Sequence, residues 1–149
     1  MSSAHRLFAV LIVFILLFFG GYFFYGVLAA EFFESQVGSA IGVQKTEVNM
    51  AFIALGDLIQ AWVFVKLYGG YAKAYHHPFI GWQFGGLIGL LMGFGAGLIM
   101  YGTTHMFALN AYLVDGIWQI FLYGLAGFSV ASFLKKMKDD LSKTPENEG

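Results

Sequence analysis

Four apolar stretches, each long enough to cross a bilayer, are the feature that most constrains the fold of this chain. They cover residues 7–30, 48–68, 79–101 and 107–133. A helix needs about 20 apolar residues to cross a hydrocarbon core of ~30 Å. Inside that core each backbone polar group must be bonded internally, which favours helices. The sequence therefore predicts an all-α integral membrane protein, a bundle of four transmembrane helices.

The charge content supports the same class of protein. Only 11% of the residues are charged, against about 25% in soluble domains, so a water-facing surface could not be covered. The connections are short, and residues 1–134 are predicted to form a single transmembrane domain. Residues 135–149 are predicted to form a charged cytoplasmic tail that continues the last helix and then frays. A net charge of −1 provides no basic surface for nucleic acid.

The basic residues predict the orientation of the bundle. Of the eight lysines and arginines, only Lys45 falls in the first loop. The others flank the opposite ends of the spans: Arg6, Lys66, Lys73, Lys135, Lys136, Lys138 and Lys143. Because basic residues are retained in cytoplasmic loops, we expect both termini to be cytoplasmic.

Glycine recurs at every fourth position of the third stretch. The residues are Gly81, Gly85, Gly89, Gly93 and Gly97, and we call them the glycine ladder. Such spacing leaves a groove without side chains, in which another backbone can approach closely and gain dispersion contacts in lipid. The ladder favours helix packing within the bundle, with a contact between subunits or the lining of a pore as alternatives.

Two carboxylates fall inside predicted spans, Asp57 in the second and Asp115 in the fourth. An ionisable group at that depth is costly and marks a functional site by default. Polar residues share their helix faces: Asn49 and Gln60 with Asp57, and Tyr112 and Gln119 with Asp115. No lysine or arginine lies at that depth, so the carboxyls are expected to be protonated, to share a proton or to bind a cation. The favoured role is a structural interhelical hydrogen bond, with proton or cation handling, or a polar contact with a partner subunit or ligand, as alternatives.

The two aspartates lie in similar local sequences. Leu55-Gly-Asp57-Leu-Ile59 and Leu113-Val-Asp115-Gly-Ile117 share an L-x-D-x-I pattern at equivalent positions of spans two and four. This pattern suggests two parallel helical-hairpin repeats that bring both aspartates to a common interface.

Residues near the span ends carry three further predictions. Thr46 is a candidate N-cap of the second span. His76 and His77 are expected in an interfacial loop rather than a metal site. Several aromatic residues are expected in interfacial belts: Tyr22, Tyr25, Tyr68, Tyr71, Tyr75, Trp82, Tyr101 and Tyr123.

No motif in the sequence predicts catalysis. The chain lacks G-x-x-x-x-G-K-[ST], G-x-S-x-G and H-E-x-x-H patterns. We therefore expect no enzymatic activity, no metal and no cofactor. The favoured function is an accessory or structural subunit of a larger membrane complex or oligomer, with lipid, other membrane subunits or copies of itself as partners.

Two other functions fit the sequence. One is a homo-oligomer that moves protons or cations through Asp57 and Asp115. The other is a binder of lipid or quinone, with Asp115, Trp118 and Gln119 at the polar end. A glycine-rich third span and the segment from Asp115 to Gly127 resemble small bacterial inner-membrane proteins. The resemblance implies no known activity, and the expected location is the bacterial inner (plasma) membrane.

Overall fold

The computed structural model describes residues 3–42, 45, 47–73 and 75–143, and nearly all of them are helical. Four helices are long and apolar enough to cross a membrane, which confirms that part of the prediction. We call them spans one to four: Ser3–Leu28, Met50–Ala72, Pro78–Thr103 and Leu109–Ser142.

Span four extends well beyond the predicted boundary at residue 133. Its helix runs from Leu109 to Lys143, 35 residues, or about 52 Å at 1.5 Å per residue. This length exceeds a ~30 Å hydrocarbon core, so the last turns project from it. The first part of the predicted tail is therefore helical, and residues 144–149 lie outside the described part of the chain.

Spans one and three each contain a π-helical segment. In span one the α-helix Ser3–Phe23 passes into a π-helical turn, Phe24–Leu28. In span three a π-helical segment, Leu90–Gly95, separates the α-helices Pro78–Gly89 and Ala96–Thr103. Such segments change the direction in which later side chains point, and they often occur at functional sites.

The glycine ladder of span three faces span four along most of its length. A Cβ atom at Gly85 would collide with the carbonyl oxygen of Tyr123 and lie 2.9 Å from the Cα atom of Gly124. Gly81, Gly89 and Gly93 meet the backbone of span four in the same way, opposite Gly127, Gln119 and Gly116, whereas a Cβ at Gly97 would lie 3.3 Å from the Tyr112 ring. Close backbone packing is thus possible only because side chains are absent there.

Span four also packs on span one, and span one packs on span two. Span two touches span three mainly near Phe84, whose ring centroid lies 5.0 Å from that of Phe64. The buried apolar core lies in the half of the bundle that carries Arg6 and Lys66, and includes Val13, Phe64, Phe84, Ala126 and Val130. The opposite half contains few residues of this core cluster and holds the polar residues described below.

Two tyrosines assigned to interfacial belts are buried instead. Tyr68 is 0% exposed and Tyr123 is 4% exposed. The belt prediction is wrong for these residues because each side chain is buried against a polar partner within the protein, His76 of the second loop for Tyr68 and Gln60 of span two for Tyr123. The Tyr68 hydroxyl lies 3.4 Å from Nδ1 of His76, and the Tyr123 hydroxyl donates to Oε1 of Gln60.

Asn49 and His77 cap the helices of spans two and three. The side-chain oxygen of Asn49 accepts hydrogen bonds from the backbone N–H groups of Ala51 (3.2 Å) and Phe52 (3.3 Å). Span two thus starts at Met50, and Asn49 rather than Thr46 occupies the N-cap; Thr46 lies outside the described residues. Nδ1 of His77 accepts from the N–H of Phe79 at 3.2 Å, a capping role that the loop prediction did not include.

The first and third loops pair with each other at one end of the bundle. After span one a short helix, Ala30–Ser35, leads into an extended segment. The N–H of Gly38 donates to the carbonyl of Met106 (2.7 Å), and the N–H of Ala108 donates to the carbonyl of Gln36 (2.8 Å). A Cβ at Gly38 would collide with the carbonyl oxygen of His105, so this close approach requires glycine.

Candidate functional site

A group of polar side chains from three spans surrounds the loosely packed half of the bundle. We call it the polar cluster, and it consists of Tyr25, Asp57, Gln60, Asp115, Gln119 and Tyr123. The Tyr25 hydroxyl donates to Oδ1 of Asp115. Nε2 of Gln119 donates to the same hydroxyl at 3.0 Å and lies 3.5 Å from Oδ1 of Asp115. One turn of span four is thus joined to the π-helical turn of span one.

The other half of the polar cluster joins span four to span two. The Tyr123 hydroxyl donates to Oε1 of Gln60. Asp57, almost one turn before Gln60, is half-buried and forms no hydrogen bond with any described residue. The carboxylate of Asp57 is therefore an acceptor that remains available.

A cavity of about 470 Å³ lies between spans one, two and four and is bordered by most of the polar cluster. We call it the central cavity. Tyr25, Asp57, Gln60, Gln119 and Tyr123 supply its polar wall, and its apolar wall includes Leu17, Phe18, Ile53 and Leu122. This volume is in the range of pockets that hold small organic ligands, and such pockets have a similar mixture of apolar walls and few polar groups.

The central cavity reaches about halfway through the bundle. It extends from Met50, at the first-loop end of span two, to Gln60, about 15 Å further along the helix. Beyond Gln60 the buried side chains of span two are Ala61, Phe64, Val65, Tyr68 and Ala72. The Phe64 ring lies 5.9 Å from that of Tyr123. Apolar packing therefore separates the polar cluster from the opposite end of the chain.

Tyr25 also borders a second cavity, of about 550 Å³, which Asp115 and Tyr112 help to line. Its position between the two cavities makes Tyr25 part of their common wall. The bonds to Asp115 and Gln119 hold the ring there.

Comparison of the chain with protein-family models, curated proteins and solved structures finds no match.

The sequence-predicted site residues are divided among several locations. Gln60 and Gln119 join the polar cluster with the two aspartates, but Asp57 and Asp115 form no hydrogen bond with each other. Tyr112 packs its ring against Tyr101 and Phe107, at 6.1 and 6.2 Å between centroids. Asn49 is a helix cap, so its side chain serves the backbone rather than the cluster.

Trp118 is not at the polar end of the ligand site, where the quinone-binder hypothesis placed it. Its ring stacks on Phe24, with centroids 4.2 Å apart and planes 5° apart. Its indole N–H is buried and has no partner among the described residues. Trp118 therefore packs against the first residue of the π-helical turn of span one. It does not line the central cavity.

The sequence interpretation missed Tyr25 and Tyr123 as site residues. A signal for Tyr123 was present, because Asp115, Gln119 and Tyr123 follow i, i+4, i+8 spacing and so share a helix face. Tyr25 carried no such signal, since its direction depends on the π-helical turn. Among residues 3–42, 45, 47–73 and 75–143, no three histidine, aspartate or glutamate side chains converge as metal ligands would.

Proposed function

We propose that this protein is a non-enzymatic membrane protein that binds a small amphiphile, a lipid or quinone with a neutral hydrogen-bonding head group, in the central cavity. The observation that carries the proposal is the form of this cavity, whose apolar walls end at a polar wall with a free acceptor at Asp57. A ligand with an apolar body and a head that donates and accepts hydrogen bonds matches both parts.

The composition of the polar wall supports a neutral head group. It offers amide groups from Gln60 and Gln119 and hydroxyls from Tyr25 and Tyr123, with no basic side chain among the described lining residues. Buried polar groups need partners, because an unsatisfied donor or acceptor costs about 1–3 kcal/mol. A lipid hydroxyl would donate to Asp57 at this depth, and a quinone carbonyl would accept from the amide N–H groups of Gln60.

The geometry favours binding over conduction through a single chain. A proton path needs polar groups or water along its whole length, yet Phe64 and Phe84 close the bundle beyond the polar cluster. Phe64 is 2% exposed and Phe84 is 5% exposed. A conducting homo-oligomer would have to place its path between copies, outside the central cavity.

We place the basic end of the bundle, with Arg6 and Lys66, on the cytoplasmic side of a bacterial inner membrane. The excess of basic residues at that end supports this orientation. The central cavity then lies in the opposite half of the bilayer, and a ligand enters it from that leaflet or from the first-loop side.

Filling the central cavity tests the proposal. Gly21 lines the cavity, and Gly102 does not; a Cβ at either glycine meets no atom within 4 Å. Gly21→Leu should fill the cavity without displacing the backbone, and Gly102→Leu is the matched control. Each protein is extracted gently and examined by native mass spectrometry for a retained small molecule and for binding of an added short-chain ubiquinone.

Wild type and Gly102→Leu are expected to retain a ligand or bind the quinone, and Gly21→Leu is expected to lose both. The proposal fails if all three proteins are free of ligand and do not bind the probe. It also fails if Gly21→Leu binds as well as the control.

A second candidate function, a subunit of a larger membrane assembly, has its own supporting observation. Span two is the least enclosed of the four described spans, because only 17% of the residues in its most apolar 18-residue stretch are buried. Phe52, Leu55, Ile59 and Trp62 follow i, i+3, i+7, i+10 spacing and are between 52% and 71% exposed. This face fits either lipid or another membrane helix. The mass of the gently extracted particle distinguishes these two possibilities, because unrelated subunits or further copies would add to the mass of one chain.

A further inference from the structure

A separate cavity lies at the basic end of the bundle. It has a volume of about 560 Å³, and none of the described residues that line it also lines the central cavity. We call it the basic cavity. Three basic side chains from three parts of the chain reach it: Arg6 from span one, Lys66 from span two and His76 from the second loop.

The charge of the basic cavity is not balanced by its own wall. No carboxylate is among the described residues that line it. Arg6 and Lys66 form no ion pair with any residue in the part of the chain that the structure describes. Two permanent positive charges without a protein counter-ion at a membrane surface create a strong preference for an anion.

His76 adds a directional donor to the basic cavity. Its Nδ1 lies 3.4 Å from the buried Tyr68 hydroxyl. With Tyr68 as donor in this bond, the neutral ring carries its proton on Nε2. That nitrogen forms no hydrogen bond with a described residue. A neutral histidine can thus donate to an anion, as the side chains of Arg6 and Lys66 can.

The remaining wall of the basic cavity is apolar. Val10 and Val65 are buried behind it, and Trp62 borders it beside Lys66, whose Nζ atom lies 5.2 Å from the centre of the Trp62 ring. Tryptophan is enriched at the level of lipid head groups. The wall therefore suits a ligand with a phosphate at one end and hydrocarbon at the other.

We propose that the basic cavity binds the phosphodiester head group of an anionic phospholipid through Arg6, Lys66 and His76, with the adjoining acyl chain along Val10, Val65 and Trp62. Basic pockets between transmembrane helices are typical sites for acidic head groups. The site is distinct from the central cavity, and neither proposal depends on the other.

Native mass spectrometry of the full chain in a neutral detergent tests this site. The dissociation constant of the first bound lipid is measured with dioleoyl phosphatidylglycerol, with dioleoyl phosphatidylcholine and with inorganic phosphate alone. Lys66→Gln and Arg6→Gln each remove one charge from the basic cavity. Lys73→Gln is the charge-matched control, because Lys73 lies near the same end but outside the cavity.

Wild type should bind phosphatidylglycerol about 25-fold more tightly than phosphatidylcholine, since Arg6 and Lys66 should each contribute about a fivefold preference for anionic lipid near a bilayer surface. Lys66→Gln and Arg6→Gln should each lose about fivefold, and Lys73→Gln should stay within about twofold of wild type. Equal binding of the two lipids would overturn the proposal, as would an equal loss in Lys73→Gln. Binding of inorganic phosphate without a preference for phosphatidylglycerol would overturn it in favour of a free anion.

A second pair of variants tests the basic cavity without changing the charge of the protein. Gly69 lines the basic cavity and Gly70 does not, and a Cβ at either position meets no atom within 4 Å. Gly69→Leu should block phosphatidylglycerol binding, and Gly70→Leu should preserve it. The proposal fails if Gly69→Leu retains the lipid preference.

Discussion

The hydroxyl group of Tyr25 donates a hydrogen bond to the carboxylate of Asp115, a residue 90 positions further along the chain. The bond joins the π-helical turn of span one to span four at the wall between two cavities. Gln119 donates to the same hydroxyl, so the Tyr25 ring is held from two sides. An aspartate with no basic neighbour inside the bundle is thus partnered by neutral groups, while Asp57 faces the central cavity.

Removing the Tyr25 hydroxyl should destabilise the bundle. Tyr25→Phe leaves Asp115 without its main donor and is expected to lower the free energy of unfolding by about 1–2 kcal/mol. Tyr22→Phe is the control, because Tyr22 lines the same cavity but its hydroxyl has no partner among the described residues. Reversible unfolding in mixed micelles measures both, and equal effects would contradict the bond to Asp115.

Neighbouring glycines in span three should respond oppositely to alanine. At Gly85 the added methyl collides with the Tyr123 carbonyl, so Gly85→Ala should cost about 1–3 kcal/mol through overpacking. At Gly86 the nearest atom is Cγ2 of Ile120 at 3.9 Å, so Gly86→Ala should be neutral or gain up to about 1 kcal/mol from helix propensity. Thermal unfolding in detergent compares the two. Similar melting temperatures would show that the ladder does not contact span four as closely as described.

Acidification should destabilise the protein through His76. Burial, and then the positive charge of Lys138, lower the pKa of His76 below its usual 6.5. Arg6, Lys66 and Tyr68 are its other titratable neighbours. Because the unfolded chain protonates first, the contribution is fully present above about pH 6.5 and is lost as the pH falls toward the folded-state pKa.

The melting temperature of wild type should therefore fall between pH 7.5 and pH 5.5 by more than that of His76→Gln. The variant carries a neutral, hydrogen-bonding side chain at both pH values, so the difference between the two curves isolates His76. A steeper fall for His76→Gln than for wild type would contradict the direction of the shift.

Asn49 should behave as a helix cap and not as part of the ligand site. Asn49→Ala removes the acceptor for the N–H groups of Ala51 and Phe52 and should cost about 1 kcal/mol. Asn49→Ser should recover most of that loss, because serine also caps helices well. Quinone binding should be unchanged in both once they are folded. Loss of quinone binding in Asn49→Ser, with stability intact, would show that Asn49 belongs to the ligand site.

The parts of the fold that depend on local pattern could be predicted from the sequence. The four spans follow from apolar length alone, and the spacing of Gly85 with its ladder neighbours indicated a face for close packing. The grouping of Asp115 with Gln119 followed from helical periodicity. Each of these features is fixed within a few turns of one helix.

The parts that depend on how the spans rotate against each other could not be predicted. Tyr25 reaches Asp115 only because span one changes to π-helical geometry at Phe24. From its sequence position Tyr123 resembled an interfacial tyrosine, because no local pattern shows that Gln60 lies opposite it in the bundle. The suggested repeat stays a prediction, although its two aspartates have different surroundings, since Asp115 accepts from Tyr25 and Asp57 has no such donor.

The long separation between bonded residues has a consequence for biosynthesis. A ribosome adds about 5–20 residues per second, so Tyr25 is made roughly 5–20 s before Asp115 exists to accept its bond. Gln60 likewise precedes Tyr123 by 63 residues. Spans one and two thus enter the bilayer with their polar groups unpaired, whereas the glycine-packed hairpin of spans three and four can form as soon as it emerges. Span four, made after the other three, is the one that completes the site, and a chain truncated before it would be left with exposed polar groups for quality-control proteases to recognise.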